Sequence, residues 1–173
     1  HGVACAAPLR GKKGAHYEGG MRVPLIAAWA EVEPANPQQQ RVPIALGVIQ
    51  QQQAAVYDLF PTVLSIAKVA PPSDHVTDGV GLQTLFSGEP DGDRSEQFLM
   101  HYPHGPHRSS YFTCFRHGDW KVIYHYVPSM ASHGSHYQLY HLARDPFESQ
   151  NLAGAEPQRL RMMMQGLIQR LED

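Results

Sequence analysis

Seventeen residues near the start of the chain, 8–24, read PLRGKKGAHYEGGMRVP, and an apolar run, LIAAW, follows directly at 25–29. The stretch holds four glycines, four cationic side chains, one histidine and one glutamate. Glycine permits backbone conformations with positive φ and lets other groups approach closely. Cationic side chains on such a loop form a receptor for an oxyanion. Because a plain turn needs about one or two glycines, the whole set favours a binding loop over a solvated turn.

The composition sets limits on the class of protein. The chain has 173 residues, 42% of them hydrophobic, and a formal net charge of −2. That length suits one domain, or part of a domain followed by a small one. No basic run indicates nucleic acid as a partner, and no apolar stretch reaches the roughly 18 residues of a membrane span. Cys5 and Cys114 are too few for a disulfide framework. They could pair with each other, but we expect two unpaired, buried thiols.

The first residues, HGVAC, include neither an initiator methionine nor the charged-then-apolar order of a signal peptide. We therefore expect an interior piece of a longer protein. The compartment stays open at this point.

Two apolar segments in the first half predict strands. Residues 23–29 form a short apolar run bounded by Pro24 and by charged residues, which predicts a buried strand. Residues 41–49 predict a second strand or an extended segment, and Pro43 favours the edge of a sheet.

A helix and a compact loop come next. Apolar residues recur at helical spacing over 56–67, with Asp58 as the N-cap and Pro61 in the first turn, where its missing N–H is harmless. Residues 78–88 predict a loop with one short helical turn. The charged, turn-rich stretch EPDGDR at 89–94 is the best candidate for a domain boundary.

The second half predicts a small antiparallel sheet covered by a helix. Four strand-like segments occupy 97–102, 109–116, 120–126 and 137–142. The sequence HGD at 117–119 is a hairpin signal between the second and third of them. Apolar residues of the final segment, Pro157–Leu171, follow i, i+3, i+4 spacing with Pro157 near N1. We expect its methionine-rich face to pack on the sheet.

The stretch at 8–24 resembles the conserved segment L-R-G-G-K-G-x-x-Y/W-E-G-G-x-R-x-P of the type I, arylsulfatase-like sulfatases of the alkaline-phosphatase-like superfamily. Further motifs similar to theirs follow in the same order: DLFPTVLSIA at 58–67, DGVGL at 78–82, HYPH at 101–104, GDWKVI at 118–123, and YQLYHL with DPFESQNLA over 137–153. Gly81 stands where the family usually has serine, and Lys12 where it has a second glycine. The resemblance extends over nearly the whole chain.

This resemblance implies an α/β fold in two parts. Residues 1–92 would be the C-terminal part of an alkaline-phosphatase-like α/β/α catalytic domain. Residues 93–173 would be the C-terminal sulfatase subdomain, an antiparallel sheet packed by a helix. Periplasmic or secreted locations are common in the family.

The resemblance also implies a sulfuric ester hydrolase acting on a small-molecule or carbohydrate sulfate ester. Such enzymes use a formylglycine nucleophile made within C/S-x-P/A-S-R, and a divalent cation, usually Ca²⁺. This sequence has no such pentapeptide and lacks the family's early metal carboxylates. Neither site is complete here, and we assign no metal ligand. We expect the chain to supply substrate-side cations to the full-length protein and to be inactive alone.

Register with the motif assigns the sulfate contact to Lys13, whose ammonium binds an anion as a point charge and eases charge on the leaving group. Lys12 leaves open which of the two lysines faces the pocket. His16 lies on the same loop and is a substrate-binding candidate. We expect Glu18 and Arg22 to brace the loop as an ion pair.

His101 and His104 are the remaining substrate-binding candidates, because in the family the HYPH motif reaches toward the active-site mouth. A histidine there can hydrogen-bond or protonate the leaving oxygen, so His104 is also a catalytic candidate. The alternative is a pair of histidines at a strand end, held by backbone hydrogen bonds.

Three other hypotheses stay open. The spacing of His101, His104 and His107 would suit zinc ligands, but two prolines exclude a regular helix, and no carboxylate or cysteine completes a known pattern. Phosphoesterases and phosphonate hydrolases of the same superfamily share the expected architecture. A non-catalytic binding module that forms homo-oligomers is the third, because a truncated sheet exposes an edge and an apolar face.

Overall fold

The computed structural model describes residues 6–104, 110–131 and 133–173. Two compact units divide the chain: unit 1 combines the residues up to Pro24 with those from Ser95 onward, and unit 2 is the segment Leu25–Arg94. The domain boundary at 92/93 stays a prediction. None of the helices in the described ranges combines the length and apolar character needed to cross a membrane.

Unit 1 contains a four-stranded antiparallel sheet with the strand order β1-β2-β3-β4. The strands are β1 Gln97–Tyr102, β2 Phe112–His117, β3 Trp120–His125 and β4 Tyr137–His141. Gly118 turns the β2–β3 hairpin with φ of +56°, a left-handed conformation that glycine adopts without steric cost. The structure therefore confirms the predicted sheet and hairpin. The predicted start of the second strand, residue 109, lies outside the described residues.

One face of the sheet is covered by α5, Pro157–Glu172, which confirms the predicted C-terminal helix. Phe115, Val122 and Leu139 from three neighbouring strands form an apolar cluster with Met163 and Leu167 of this helix. Gly166 allows the close approach, since a Cβ there would lie 2.9 Å from Cε1 of Phe115. The methionine-bearing face of the helix thus packs on the sheet as expected.

The opposite face of the sheet is covered by the glycine-rich segment. Phe112, Cys114, Ile123 and Tyr140 form a second buried cluster there, joined by Tyr17 from that segment and by Leu142. Burial raises the pKa of the unpaired Cys114 thiol to about 11. Cys5, the other predicted thiol, lies outside the described residues. The segment 8–24, which the sequence predicts as a binding loop, therefore also forms one wall of the core of unit 1.

Unit 2 contains three short α-helices, α2 Pro37–Arg41, α3 Leu59–Ala67 and α4 Gln83–Phe86, and a 3₁₀ turn, Val56–Asp58, leads into α3. The predicted helix over 56–67 and the predicted helical turn within 78–88 are confirmed. The predicted strand at 23–29 is wrong: these residues form no strand, and Ile26 is 91% exposed. A strand forms only by hydrogen bonding to a neighbour, and no described residue pairs with this segment. Residues 41–49, predicted as a second strand or an extended segment, form no strand; the Ala45 N–H donates to the Phe86 carbonyl at 2.7 Å, but no ladder continues from it.

A polar hub organises unit 2. The Asp58 carboxylate accepts hydrogen bonds from the Val80 backbone N–H at 2.9 Å and from Nη1 of Arg94 at 2.7 Å. Asp58 occupies the predicted N-cap position of α3, but its side chain makes no cap hydrogen bond to that helix. Thr62 Oγ1 donates to the Asp58 carbonyl and accepts from the Leu82 N–H. Asp58 and Thr62 thus join α3 to the 78–82 loop.

Candidate functional site

The two candidate lysines lie on a turn framed by two glycines. Gly11 and Gly14 have φ of +90° and +88°, conformations that L side chains rarely adopt. Lys12 and Lys13 stand between them and are both exposed, and the Ala15 N–H donates to the Lys12 carbonyl at 2.8 Å. Both ammonium groups are accessible to an anion from solvent. Which of them meets a substrate stays a prediction.

The two glycines of the E-G-G motif hold this turn against the start of α1, Glu18–Met21. The Gly19 N–H donates to the Arg10 carbonyl at 2.7 Å. A Cβ at Gly19 would lie 2.6 Å from that carbonyl oxygen, and a Cβ at Gly20 would lie 2.6 Å from the carbonyl oxygen of Lys12. Any side chain at either position would therefore push the lysine turn away from α1.

A buried ion network lies beneath the turn. The Lys121 ammonium, on β3, is 2.9 Å from Oε1 of Glu18 and 2.8 Å from Oε1 of Glu148. Arg22 Nε donates to Oε2 of Glu18 at 2.6 Å, which confirms the predicted brace. Sequence reasoning missed Lys121 and Glu148. Strand alternation places Lys121 on the same face as Ile123, and a charge on an inward face needs a countercharge; that signal could have found it.

Burial and neighbouring charges shift the pKa values of this network in opposite directions. Burial raises the pKa of Glu18, but Lys121 and Arg22 outweigh it and hold that pKa below the ordinary value. For Glu148 burial prevails over Lys121, and the pKa is raised. Burial lowers the pKa of Lys121, but the surrounding anionic groups reverse the shift and raise it. The ammonium therefore stays charged between two carboxyl groups.

His16, one of the predicted substrate-binding residues, is buried rather than exposed on the loop. Its ring lies against those of Tyr17, Phe112 and His125, with centroid distances of 4.2, 5.1 and 4.8 Å. Burial and the neighbouring His125 lower its pKa to about 3. His16 is therefore neutral near pH 7. A role toward a substrate stays a prediction.

His125 and His133 form an imidazole pair beside His16 that sequence reasoning did not assemble. Their Nε2 atoms are 3.2 Å apart, and Nδ1 of His125 is 2.7 Å from Oγ of Ser110. A hydrogen bond between two imidazole nitrogens needs one proton, so only one of the two Nε2 atoms carries it. Alternation along β3 could have placed His125 on this face, but the position of His133 depends on an irregular loop.

The HYPH motif sends its histidines to different faces of the sheet. His101 lies on the α5 side, where its Nδ1 is 2.7 Å from Oγ1 of Thr113. His104 packs on Tyr102, with ring centroids 4.5 Å apart, and Tyr102 stacks on Phe112 on the side of the lysine turn. The structure thus brings His104 and His16 to one face and leaves His101 on the other. The substrate roles of both stay predictions.

Within residues 6–104, 110–131 and 133–173, no group of three or more His, Cys, Asp or Glu side chains is arranged to hold a metal ion. His107, one member of the alternative zinc hypothesis, lies outside these ranges. The described residues therefore do not fit the divalent cation that the resemblance implies, and we assign it no ligand.

Comparison with known proteins gives a consistent result. Residues 12–173 match the family model described as N-sulphoglucosamine sulphohydrolase, C-terminal. Human arylsulfatase A is 32% identical over 181 residues, which cover 93% of this chain and 32% of that protein. Mouse steryl-sulfatase is 33% identical over 133 residues, or 73% of this chain and 18% of that protein. A solved structure from work on the metabolism of multiple glycosaminoglycans by Bacteroides thetaiotaomicron has a TM-score of 0.61 and 25% identity, covering 95% of this chain and 32% of the other.

The sheet, the covering helix and the glycine-rich segment define the C-terminal portion of a type I sulfatase with an alkaline-phosphatase-like α/β fold. The chain belongs to the N-sulphoglucosamine sulphohydrolase C-terminal family. It spans 18% of the length of the steryl-sulfatase and 32% of the arylsulfatase named above. The predicted family and fold class are confirmed.

Proposed function

We propose that this chain is the C-terminal part of a sulfuric ester hydrolase and supplies cations to the substrate side of its active site. One observation carries the proposal. Lys12 and Lys13 are exposed on a turn that packs closely on Gly19 and Gly20, and the Gly19 N–H donates to the Arg10 carbonyl. Two neighbouring cationic side chains on a turn of defined backbone suit a sulfate group, because each ammonium donates hydrogen bonds to its oxygens and opposes their negative charge.

Lys13 is the residue that meets the sulfate in this proposal. Its ammonium offers three donors and a compact charge to the sulfate oxygens, and it stabilises charge on the leaving oxygen. His104 gives a proton to that oxygen. A contact of His16 or His101 with the same substrate has less support, because His16 is buried and His101 lies on the α5 side of the sheet. By the resemblance, a formylglycine and Ca²⁺ held by residues outside this chain would supply the nucleophile and compensate charge in the full-length enzyme. This chain is therefore inactive alone.

The substrate class in this proposal is a small-molecule or carbohydrate sulfate ester. Support comes from the relatives, which include human arylsulfatase A and mouse steryl-sulfatase. The structural neighbour from work on glycosaminoglycan metabolism supports a sulfated sugar.

Titration of the ¹⁵N-labelled 173-residue chain with inorganic sulfate, followed by NMR, tests the cation role. We expect saturable shifts at Gly11–Ala15, a loss of affinity of about fivefold or more in Lys13→Gln, and a smaller loss in Lys12→Gln. Lys68→Gln, at an exposed lysine of unit 2, is the matched control and should change nothing. Absence of sulfate binding, or equal losses in both turn variants, would contradict the assignment. Turnover of 4-nitrophenyl sulfate by the same sample would contradict inactivity.

A further inference from the structure

Lys121 is a charged side chain that the proposed function does not use. It is only 1% exposed, and its ammonium lies between two carboxyl groups that come from distant parts of the chain, Glu18 and Glu148. Moving an ammonium out of water costs several kcal/mol, which only well-placed partners offset. A buried ion pair is therefore weak evidence for a gain in stability. A gain in stability therefore does not explain why Lys121 is buried between these carboxyl groups.

The ion network connects directly to the lysine turn. The Glu18 N–H donates to Oε2 of Glu148 at 2.6 Å, so both the side chain and the backbone of Glu18 are held. Gly19 and Gly20, the next two residues, touch the carbonyls of Arg10 and Lys12. No flexible side chain intervenes between Glu18 and the turn. A shift of Glu18 would therefore move the turn with it.

Glu148 also fixes the other side of the turn. Nη1 of Arg10 donates to the Glu148 carbonyl at 2.6 Å, and the Arg10 guanidinium lies 3.8 Å from the centroid of the Tyr17 ring. Glu148 itself has φ of +52°, a left-handed conformation that is uncommon for residues other than glycine. Such conformations persist where the surroundings fix them, and they cluster at functional sites. Here the conformation turns the carboxylate and the carbonyl of Glu148 toward the two sides of the turn.

We propose that Lys121 is a positioning residue: through Glu18 and Glu148 it fixes the backbone of the Gly11–Gly14 turn and touches no substrate itself. The inference rests on the proposed function in taking Lys13 as the group that meets the sulfate. The positioning of the turn is a separate claim about backbone order. It can be measured without any ligand.

Native-state amide hydrogen exchange on the full 173-residue chain tests this claim. Lys121→Met removes the ammonium but leaves two buried carboxylates. Lys121→Met combined with Glu148→Gln removes one charge of each sign and keeps an oxygen to accept the Glu18 N–H. In this double variant we expect the amides of Ala15, Gly19 and Gly20 to exchange at least tenfold faster, while strand amides such as those of Val122 and Ile123 change less than threefold. Arg161→Gln, at an exposed position of α5 away from the network, is the control and should leave both sets unchanged.

Each outcome decides the matter. Faster exchange confined to the turn supports positioning. Equal acceleration in turn and sheet, no acceleration, or failure of both Lys121 variants to fold would overturn it, because Lys121 would then act on unit 1 as a whole or not at all. Sulfate affinity, measured on the same samples, separates the two proposals. If the turn loosens while even the original chain binds no sulfate, positioning stands and the role of Lys13 fails.

Discussion

The two units of the chain treat apolar residues in opposite ways. Unit 1 encloses two apolar clusters, one on each face of its sheet. In unit 2 the buried hydrophobic residues are few, Val42, Leu82 and Leu85, and the polar hub around Asp58 joins α3 to the following loop. Ile49 and Leu46 of unit 2 are 82% and 75% exposed. Exposed apolar surface of this kind marks interaction sites. Unit 1 has a core of its own, whereas unit 2 carries core-forming residues that the described chain does not cover.

The largest expected difference between the units concerns truncated leucines. Leu139→Ala removes a fully buried side chain between the sheet and α5. We expect it to lower the free energy of unfolding of unit 1 by about 2–5 kcal/mol. Leu46→Ala in unit 2 should change stability by no more than about 0.5 kcal/mol, because the side chain is already in water. Urea unfolding followed by tryptophan fluorescence measures both free energies. Trp120 reports on unit 1 in a Trp29→Phe background, and Trp29 reports on unit 2 in a Trp120→Phe background. Similar costs at the two positions would remove the distinction between the units.

The second difference concerns acid. Burial lowers the pKa of His16 to about 3 and holds the pKa of His125 below its ordinary value. Below pH 6.5 these histidines therefore bind protons in the unfolded chain but stay neutral in the folded chain. Their contribution to the free energy of unfolding is complete above pH 6.5. It is lost as the pH falls toward the pKa values of the folded state. Each of these histidines contributes a slope of up to about 1.4 kcal/mol per pH unit. Unit 2 buries no histidine, since its His75 is exposed, so this source of pH dependence belongs to unit 1.

Urea unfolding at pH 7.5, 6 and 5 measures this slope for each unit with the same tryptophan reporters. His16→Phe should flatten the slope of unit 1, since phenylalanine keeps the ring contacts but takes up no proton. The pH range stops above the region where Glu18 itself loses stabilisation. A slope that is equal in both units would show that the buried imidazoles do not cause it.

The smallest expected effect is self-association through unit 2. Uncovered apolar residues lower their free energy by pairing with a second copy. Light scattering should show an apparent mass that rises with protein concentration, and Ile26→Glu with Ile49→Glu should reduce the rise. Leu171→Glu, at a partly exposed position of α5, is the control in unit 1. A monomer at every concentration would show that the exposed apolar residues of unit 2 do not cause self-association.

The same contrast explains how far the sequence could predict the structure. The strands from Gln97 to His141 could be predicted because their partners lie next to them in the chain, so alternation and turn signals suffice. The strand predicted at 23–29 was wrong because an apolar run indicates a buried strand only when neighbours exist to pair with it. The Glu18–Arg22 pair follows from i, i+4 spacing. Lys121 and Glu148 join it only through the folded sheet, which local patterns do not describe.

Cys114 gives unit 1 a chemical reporter of its own opening. The thiol is fully buried, and burial raises its pKa to about 11, whereas thiol reagents attack the exposed thiolate. Modification at this position therefore has to wait until the sheet separates from the glycine-rich segment that covers it. The rate of labelling at Cys114 then measures how often that separation occurs. It therefore also measures how long the lysine turn remains packed on the sheet between openings.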